Sequence, residues 1–423
     1  MSSADRCRVT GEAGWRWVLD QVRYDDGGPW IPEYGDGGPP EAAYRFGTHS
    51  GTGGLALALG VVATTRDWTE EEARLAAAIG DQLVARAATA GDATYFDGLA
   101  GDVHALLALG RSPQPALDRL HAIGTDAGWP QLSTAAPTVA PGTPFLDLTL
   151  GTAGVLDAAV AGGDVALATR AAELLAAQAQ PRPDGLAWLM VADELRLLPR
   201  RAEMPNLSHG TAGAALALAS AGSFLGRPDL VDLACRGAEH LVAIRDRSVD
   251  GLAIPHLVAS PGLDPADAHD GEPLKWGWCH GPTGTSLLFA ALDRAGVASV
   301  AGQLPDAWRA DCLRAVRGSG VPDRLRPGFW DNDGRCCGTT GVGEVFLDAG
   351  DRDFAVRLGD ALVDRAVVDG GRAYWRFVEH RSPEPLLPPG VGWMQGTAGI
   401  AAYLLRLAAQ PGPTELSRPR PPG

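Results

Sequence analysis

The chain has 423 residues, 45% of them hydrophobic, with 36 basic against 51 acidic side chains and a formal net charge of −15. That is enough apolar material for a large core, and the acidic balance argues against nucleic acid or an anionic membrane as partner, since both require a basic face. The opening MSSADRCRVTGEAGWRW lacks the apolar stretch of a secretion signal, and the longest apolar runs, such as LALALGVVA at 55–63, fall well short of a membrane span.

A soluble, cytoplasmic protein without stable membrane insertion is therefore predicted. In that compartment its six cysteines are read as metal ligands, nucleophiles or core residues before disulfides.

From the N-terminus onward, a G-x-x-G unit recurs seven times: Gly51–Gly54, Gly98–Gly101, Gly151–Gly154, Gly210–Gly213, Gly281–Gly284, Gly338–Gly341 and Gly396–Gly399. Successive first glycines are 47, 53, 59, 71, 57 and 58 residues apart. Each opens a run that is apolar nearly all round, as a helix buried on every side would be. Between them lie amphipathic stretches with apolar residues three and four apart, such as EEARLAAAIGDQLVARAA (71–88), VALATRAAELLAAQA (165–179) and DFAVRLGDALVDRAVV (353–368). Each repeat reads as one outer amphipathic helix and one inner buried helix. The paired glycines let the backbone turn sharply and let neighbouring helices approach closely. No polar capping repeat closes either end, which favours closure of the array on itself. The predicted fold is all-α, an α/α toroid of seven inner and seven outer helices over residues 1–410, followed by a proline-rich disordered tail at 411–423.

In such a toroid the residues just before each glycine pair ring a shared cavity: Ser50, Asp97, Leu150, His209, His280, Cys337 and Gln395. Helix N-termini there favour anions and lower thiol pKa values. Cys279 in WGWCHGPTG and the pair Cys336–Cys337 in GRCCGTTG bring three thiols to successive repeats. Three protein ligands with the fourth position open is the arrangement of catalytic zinc, and soft thiolates select that metal, so Zn2+ is the predicted cofactor. The competing reading makes them small core residues. Cys235 and Cys312 are expected buried on outer helices. His209 in NLSHGTAG is poised for proton transfer, His280 lies beside Cys279, and His49 also faces the mouth. Asp147 and Asp97 are both candidate partners for His209, and either also suits a helix cap.

These residues resemble the lanthipeptide cyclases and their lanthionine synthetase C-like relatives. The resemblance runs from about Gly47 to Leu407 and rests on SHGTAG (208–213), WCHGPTG (278–284) and CCGTTG (336–341), in that order. It implies zinc ligation by Cys279 and Cys336. The third ligand, usually histidine, falls on Cys337, and a subset of the family is similar in having three cysteines. It also implies that His209 is catalytic with Asp147 as its partner, acting as acid or as base. Two positions depart from the family pattern: Lys275 stands where an arginine is frequent, and His280 where a tyrosine is usual. Lysine still offers a point charge but no bidentate fork.

The implied activity is addition of precursor-peptide cysteine thiols to dehydroalanine or dehydrobutyrine. The implied partner is a dehydrated precursor peptide, prepared by a separate dehydratase or kinase/lyase enzyme, with leader recognition by surface other than an inserted domain or by a partner protein. Rival readings are a non-catalytic zinc-binding peptide scaffold, a glutathione adduct-forming enzyme on dehydrated proteins, a protein prenyltransferase, and a polysaccharide-cleaving toroid.

Overall fold

The computed structural model describes residues 1–132, 139–140, 142–197, 202–260, 273–323, 332–378 and 386–409. The proline-rich tail expected at 411–423 lies outside them. Among the described residues, every glycine pair opens a helix: α2 (Thr52–Thr65), α4 (Leu99–Ala108), α6 (Thr152–Gly162), α8 (Thr211–Leu225), α10 (Pro282–Arg294), α12 (Thr339–Asp348) and α14 (Thr397–Ala409). Seven more alternate with these: α1 (Ser3–Asp20), α3 (Glu70–Ala87), α5 (Gln114–Ile123), α7 (Val165–Ala177), α9 (Pro228–Ala243), α11 (Pro305–Gly318) and α13 (Arg352–Arg365). The first set is buried all round; every residue from Thr52 to Val62 is inside. The second set buries one stripe, as in α9 with Leu230, Ala234, Gly237, Ala238 and Leu241. Ten short strands in five two-stranded sheets complete the described residues, an addition to the all-α expectation. No described helix is long and apolar enough to cross a membrane.

The chain forms two compact units. One is built from Met1–Ala90, Gly101–Ala116 and the stretch from Gly320, the other from Gly91–Ala100 and Leu117–Ser319. In the second, α8 packs between α6 and α10, with α7, α9 and α11 outside. In the first, α14 packs on both α12 and α2, with α13 and α1 outside. The outer partner of the last inner helix is thus the N-terminal helix. Gly11 and Gly14 let α1 lie close to α14, since a Cβ at Gly11 would sit 3.0 Å from Leu405 Cγ. Cys7 is sealed in this contact, and burial pushes its thiol up to about 12. Cys312 is buried on α11 as expected, whereas Cys235 on α9 is only half-buried.

The glycine pairs serve a loop more than a helix–helix crossing. In five repeats the amide after the first glycine donates to a carbonyl seven residues earlier, Thr52 to Arg45, Leu99 to Asp92, Thr152 to Phe145, Thr339 to Asn332 and Thr397 to Gly390, and after Gly210 the second amide does so, Ala212 to Pro205, all at 2.8–3.0 Å. The loop folds back onto the helix start so tightly that a Cβ at Gly210 would fall 1.6 Å from Met204 O, and one at Gly284 1.9 Å from Trp278 O. First-turn amides, which would otherwise be orphan donors, are thereby satisfied within the loop. The expectation of anion-binding helix ends is corrected accordingly: these donors are already used. What each loop presents instead is the side chains just before its glycine pair.

Candidate metal centre

Within each unit these loops are stitched to one another through the backbone. Tyr95 N and Phe96 N donate to Thr149 O (3.0 and 3.2 Å), and Ser208 N donates to Cys279 O (3.0 Å). Thr149 Oγ1 donates to Ser208 O at 3.3 Å. In the other unit Arg335 N and Cys336 N both donate to Met394 O (2.7 and 2.8 Å), and Met394 N donates to His49 O (3.0 Å). Positions before successive glycine pairs are therefore held at fixed spacing by main-chain bonds, with the Thr149 side chain making the link to Ser208.

Cys279, Cys336 and Cys337 form the group among the described residues suited to a metal, with their sulfurs all within 4.8 Å of one another. They are 5%, 7% and 2% exposed. Sulfurs around tetrahedral zinc with ~2.3 Å bonds lie about 3.8 Å apart, so the spacing needs little adjustment to take the ion. Three buried thiols are a poor set for a hard cation and a good one for zinc. The donor set fits the metal.

His209 sits in the unit that carries Cys279. Its Nδ1 is 2.5 Å from Asp147 Oδ2, and Asp147 is 1% exposed. Burial works against the charged imidazole, but the hydrogen bond and charge of Asp147, with the charge of Cys279 adding, outweigh it and hold His209 above its usual range. Asp147 Oδ1 accepts from Leu150 N at 2.8 Å, so one carboxylate both closes its loop and orients the histidine. Of the two aspartates considered, the structure pairs Asp147 with His209. The Asp97 amide instead takes part in a local turn, donating to Thr94 Oγ1 at 3.1 Å.

The ring of His280 lies 5.4 Å from that of His209. Burial drives it down to about 4, opposed by Cys279 and helped by the positive environment of His209, His256 and Lys275. His280 is thus neutral at pH 7. Lys275 is 8% exposed and close enough to act on it. His256, which the sequence reading passed over, packs edge-on against His280 with ring centroids 4.5 Å apart. Asn206, fully buried three residues before His209, fixes it by donating to Pro255 O at 2.9 Å. His256 belongs to no glycine repeat, so no spacing signal marks it.

A comparison with curated proteins returns no match. Among solved structures, the chain resembles one described as nisin cyclase, with a TM-score of 0.51, 14% identity, and coverage of 86% of this chain and 89% of that one. At that identity the likeness is one of fold. The family model described as lanthionine synthetase C-like protein matches residues 194–413, more than half of the sequence, and the chain belongs to that family.

Proposed function

We propose that the protein is a zinc-dependent lanthionine- and methyllanthionine-forming cyclase, acting on precursor peptides already dehydrated by separate enzymes. The observation that carries this reading is the gathering of three buried thiols in a chain of this family. The proposal takes residues 1–410 as one catalytic domain closed into an α/α toroid; packing of α14, the last inner helix, on α2, the first, supports closure.

Cys279, Cys336 and Cys337 would hold zinc, which when bound would supply Lewis acidity that lowers the pKa of a substrate cysteine thiol. The reaction forms one S–C bond at the β-carbon of the dehydro residue and breaks its C=C π bond. The thiol proton leaves, and a proton arrives at the α-carbon. His209 is the group to move it: Asp147 takes Nδ1–H, which leaves Nε2 for exchange, and the raised pKa keeps a protonated fraction at neutral pH. Lys275 supplies positive charge for the developing enolate. Neutral His280 offers a hydrogen bond without competing for that proton.

The test measures metal content and zinc affinity of the wild type beside Cys279→Ala, Cys336→Ala and Cys337→Ala, then incubates each with a dehydrated peptide. One zinc per wild-type chain, lost in each variant, is expected. Ring closure leaves peptide mass unchanged, so it is read as loss of alkylatable thiol. Added glutathione mass would favour the glutathione reading instead. A wild type that is metal-free when purified reduced and without chelator would sink the mechanism.

A further inference from the structure

The inner helices are apolar, yet α12 and α14 carry buried charges that pair with one another. Glu344 on α12 is 4% exposed and Arg406 on α14 is 3% exposed. Arg406 pairs with Glu344 Oε2 and with Asp348. The other Glu344 oxygen, Oε1, accepts from Arg335 Nη1 at 2.9 Å. Arg335 in turn lies over the face of Trp393, its guanidinium carbon 4.3 Å from the ring centroid. The network therefore begins deep between two inner helices and ends on the residue preceding Cys336.

Buried ion networks add little stability over an apolar filling of the same space, because desolvation offsets most of the attraction. This one has a geometric use. The backbone amides of Arg335 and Cys336 converge on Met394 O, which fixes the peptide leading into the two thiols. On the other side of the same loop, Arg365 of α13 holds Asp333 Oδ1 at 2.7 Å and Thr339 Oγ1 at 3.0 Å. The segment leading into the vicinal pair is thus held by two charged anchors, Asp333 and Arg335, each tied to a different helix, and Thr339 beyond the pair is held by Arg365 as well. Two adjacent cysteines can both reach one ion only with the intervening peptide set in one orientation, and tolerances at such sites are roughly 0.5 Å.

We infer that Arg335 is a positioning residue for metal binding, clamped between Glu344 and Trp393 so that Cys336 and Cys337 meet a single ion. The inference rests on the zinc reading proposed above and concerns which residues outside the thiol group make that site tight.

The test uses the full-length protein, with zinc affinity by chelator competition and thiolate-to-metal absorption after loading with Co2+. Arg335→Met should lower zinc affinity about tenfold or more, in line with losses seen when supporting partners of metal ligands are removed. Arg335→Lys should recover part of it, since lysine keeps the charge but not the planar fork. Arg66→Met, which breaks the remote pairing of Arg66 with buried Glu72, should lower the melting temperature and leave zinc affinity within twofold. Should Arg335→Met fail to fold, Trp393→Leu removes the stacking face while leaving the ion pairs, and it too should weaken zinc binding. Affinity unchanged in the Arg335 and Trp393 variants, or lost equally in Arg66→Met, would overturn the inference alone. A wild type that binds no zinc would overturn the proposed function and this inference with it.

Discussion

Asp147 divides its two oxygens between architecture and chemistry. Oδ1 accepts from Leu150 N and closes the turn, and Oδ2 accepts a hydrogen bond from His209 Nδ1. The two side chains are 62 residues apart in sequence, but Thr149 bonds the Ser208 carbonyl, so the loops that carry them are neighbours by construction. His209 and His280 then show opposite electrostatics within one site, the first raised by a carboxylate, the second lowered to about 4 by burial. Such divergence is how acid and hydrogen-bonding roles are separated among like groups. Asp147→Asn keeps the shape and removes the charge. Zinc content should be unchanged, while the rate of thiol loss from a dehydrated peptide falls on the order of 100-fold. The sign of the pH effect follows: without Asp147 the protonated imidazole loses support, so the alkaline limb of kcat/KM moves to lower pH. An unchanged limb in the variant would remove His209 from the proton-transfer step.

At the level of elements, a second recurring device accompanies the glycine repeat. Hairpins at 180–187 and 367–374 follow α7 and α13, and each leads directly into a buried tryptophan. Trp188 donates to Leu175 O at 2.7 Å and Trp375 to Leu362 O at 2.8 Å, both thirteen residues back in the preceding helix. The indole caps the end of an outer helix whose last turn is incomplete: Ala366, which would close α13 onto Leu362, donates to Val363 instead. Trp375→Phe should therefore leave a buried carbonyl short of its donor and cost about 2 kcal/mol in urea unfolding. A cost below about 0.5 kcal/mol would mean that water replaces the indole. The turns of these hairpins, Pro183-Asp184 ahead of Gly185 and Gly370-Gly371, lie in PDGLAW and VDGGRAYW, and a Gly-Gly turn is a recognised hairpin signal. Strands of three residues are too short to alternate, so the helical period around them dominates a reading by pattern. The inner helices were legible because all-round apolarity and G-x-x-G coincide. The thiols were legible because they sit in that frame. Glu344 and Arg406 were not, since a charge on a helix reads as solvent-facing until packing shows otherwise, and His256 has no frame at all.

For the molecule as a whole, the least legible feature was how its ends are used. Nothing local marks Ser3–Asp20 as the outer partner of a helix nearly 400 residues away, yet Cys7, Gly11, Gly14, Trp15 and Val18 form one buried face. What fixes this helix laterally is Glu72, 1% exposed at the start of α3. Its carboxylate accepts from Trp15 Nε1 at 2.6 Å, from Thr69 N at 2.7 Å and from Arg66 at 2.8 and 2.9 Å, and Arg66 also reaches Glu12 of α1. Burial alone would raise Glu72, but Arg66, the Thr69 amide and Trp15 bring it from 4.5 down to about 2. A depressed carboxylate contributes stability that is complete above its unfolded pKa and is lost as pH falls through its folded one. The contribution of Glu72 should accordingly be full above pH 4.5 and drain away between 4.5 and 2. Glu72→Gln cannot titrate and leaves Arg66 short of one charge, so it should cost on the order of 2 kcal/mol at pH 7. Melting curves of wild type and variant should run a constant distance apart above pH 5.5 and converge on acidification, because only the wild type loses this anchor. Curves that stay parallel down to pH 2 would show that the N-terminal helix is held by its apolar face on α14 and not by the buried carboxylate.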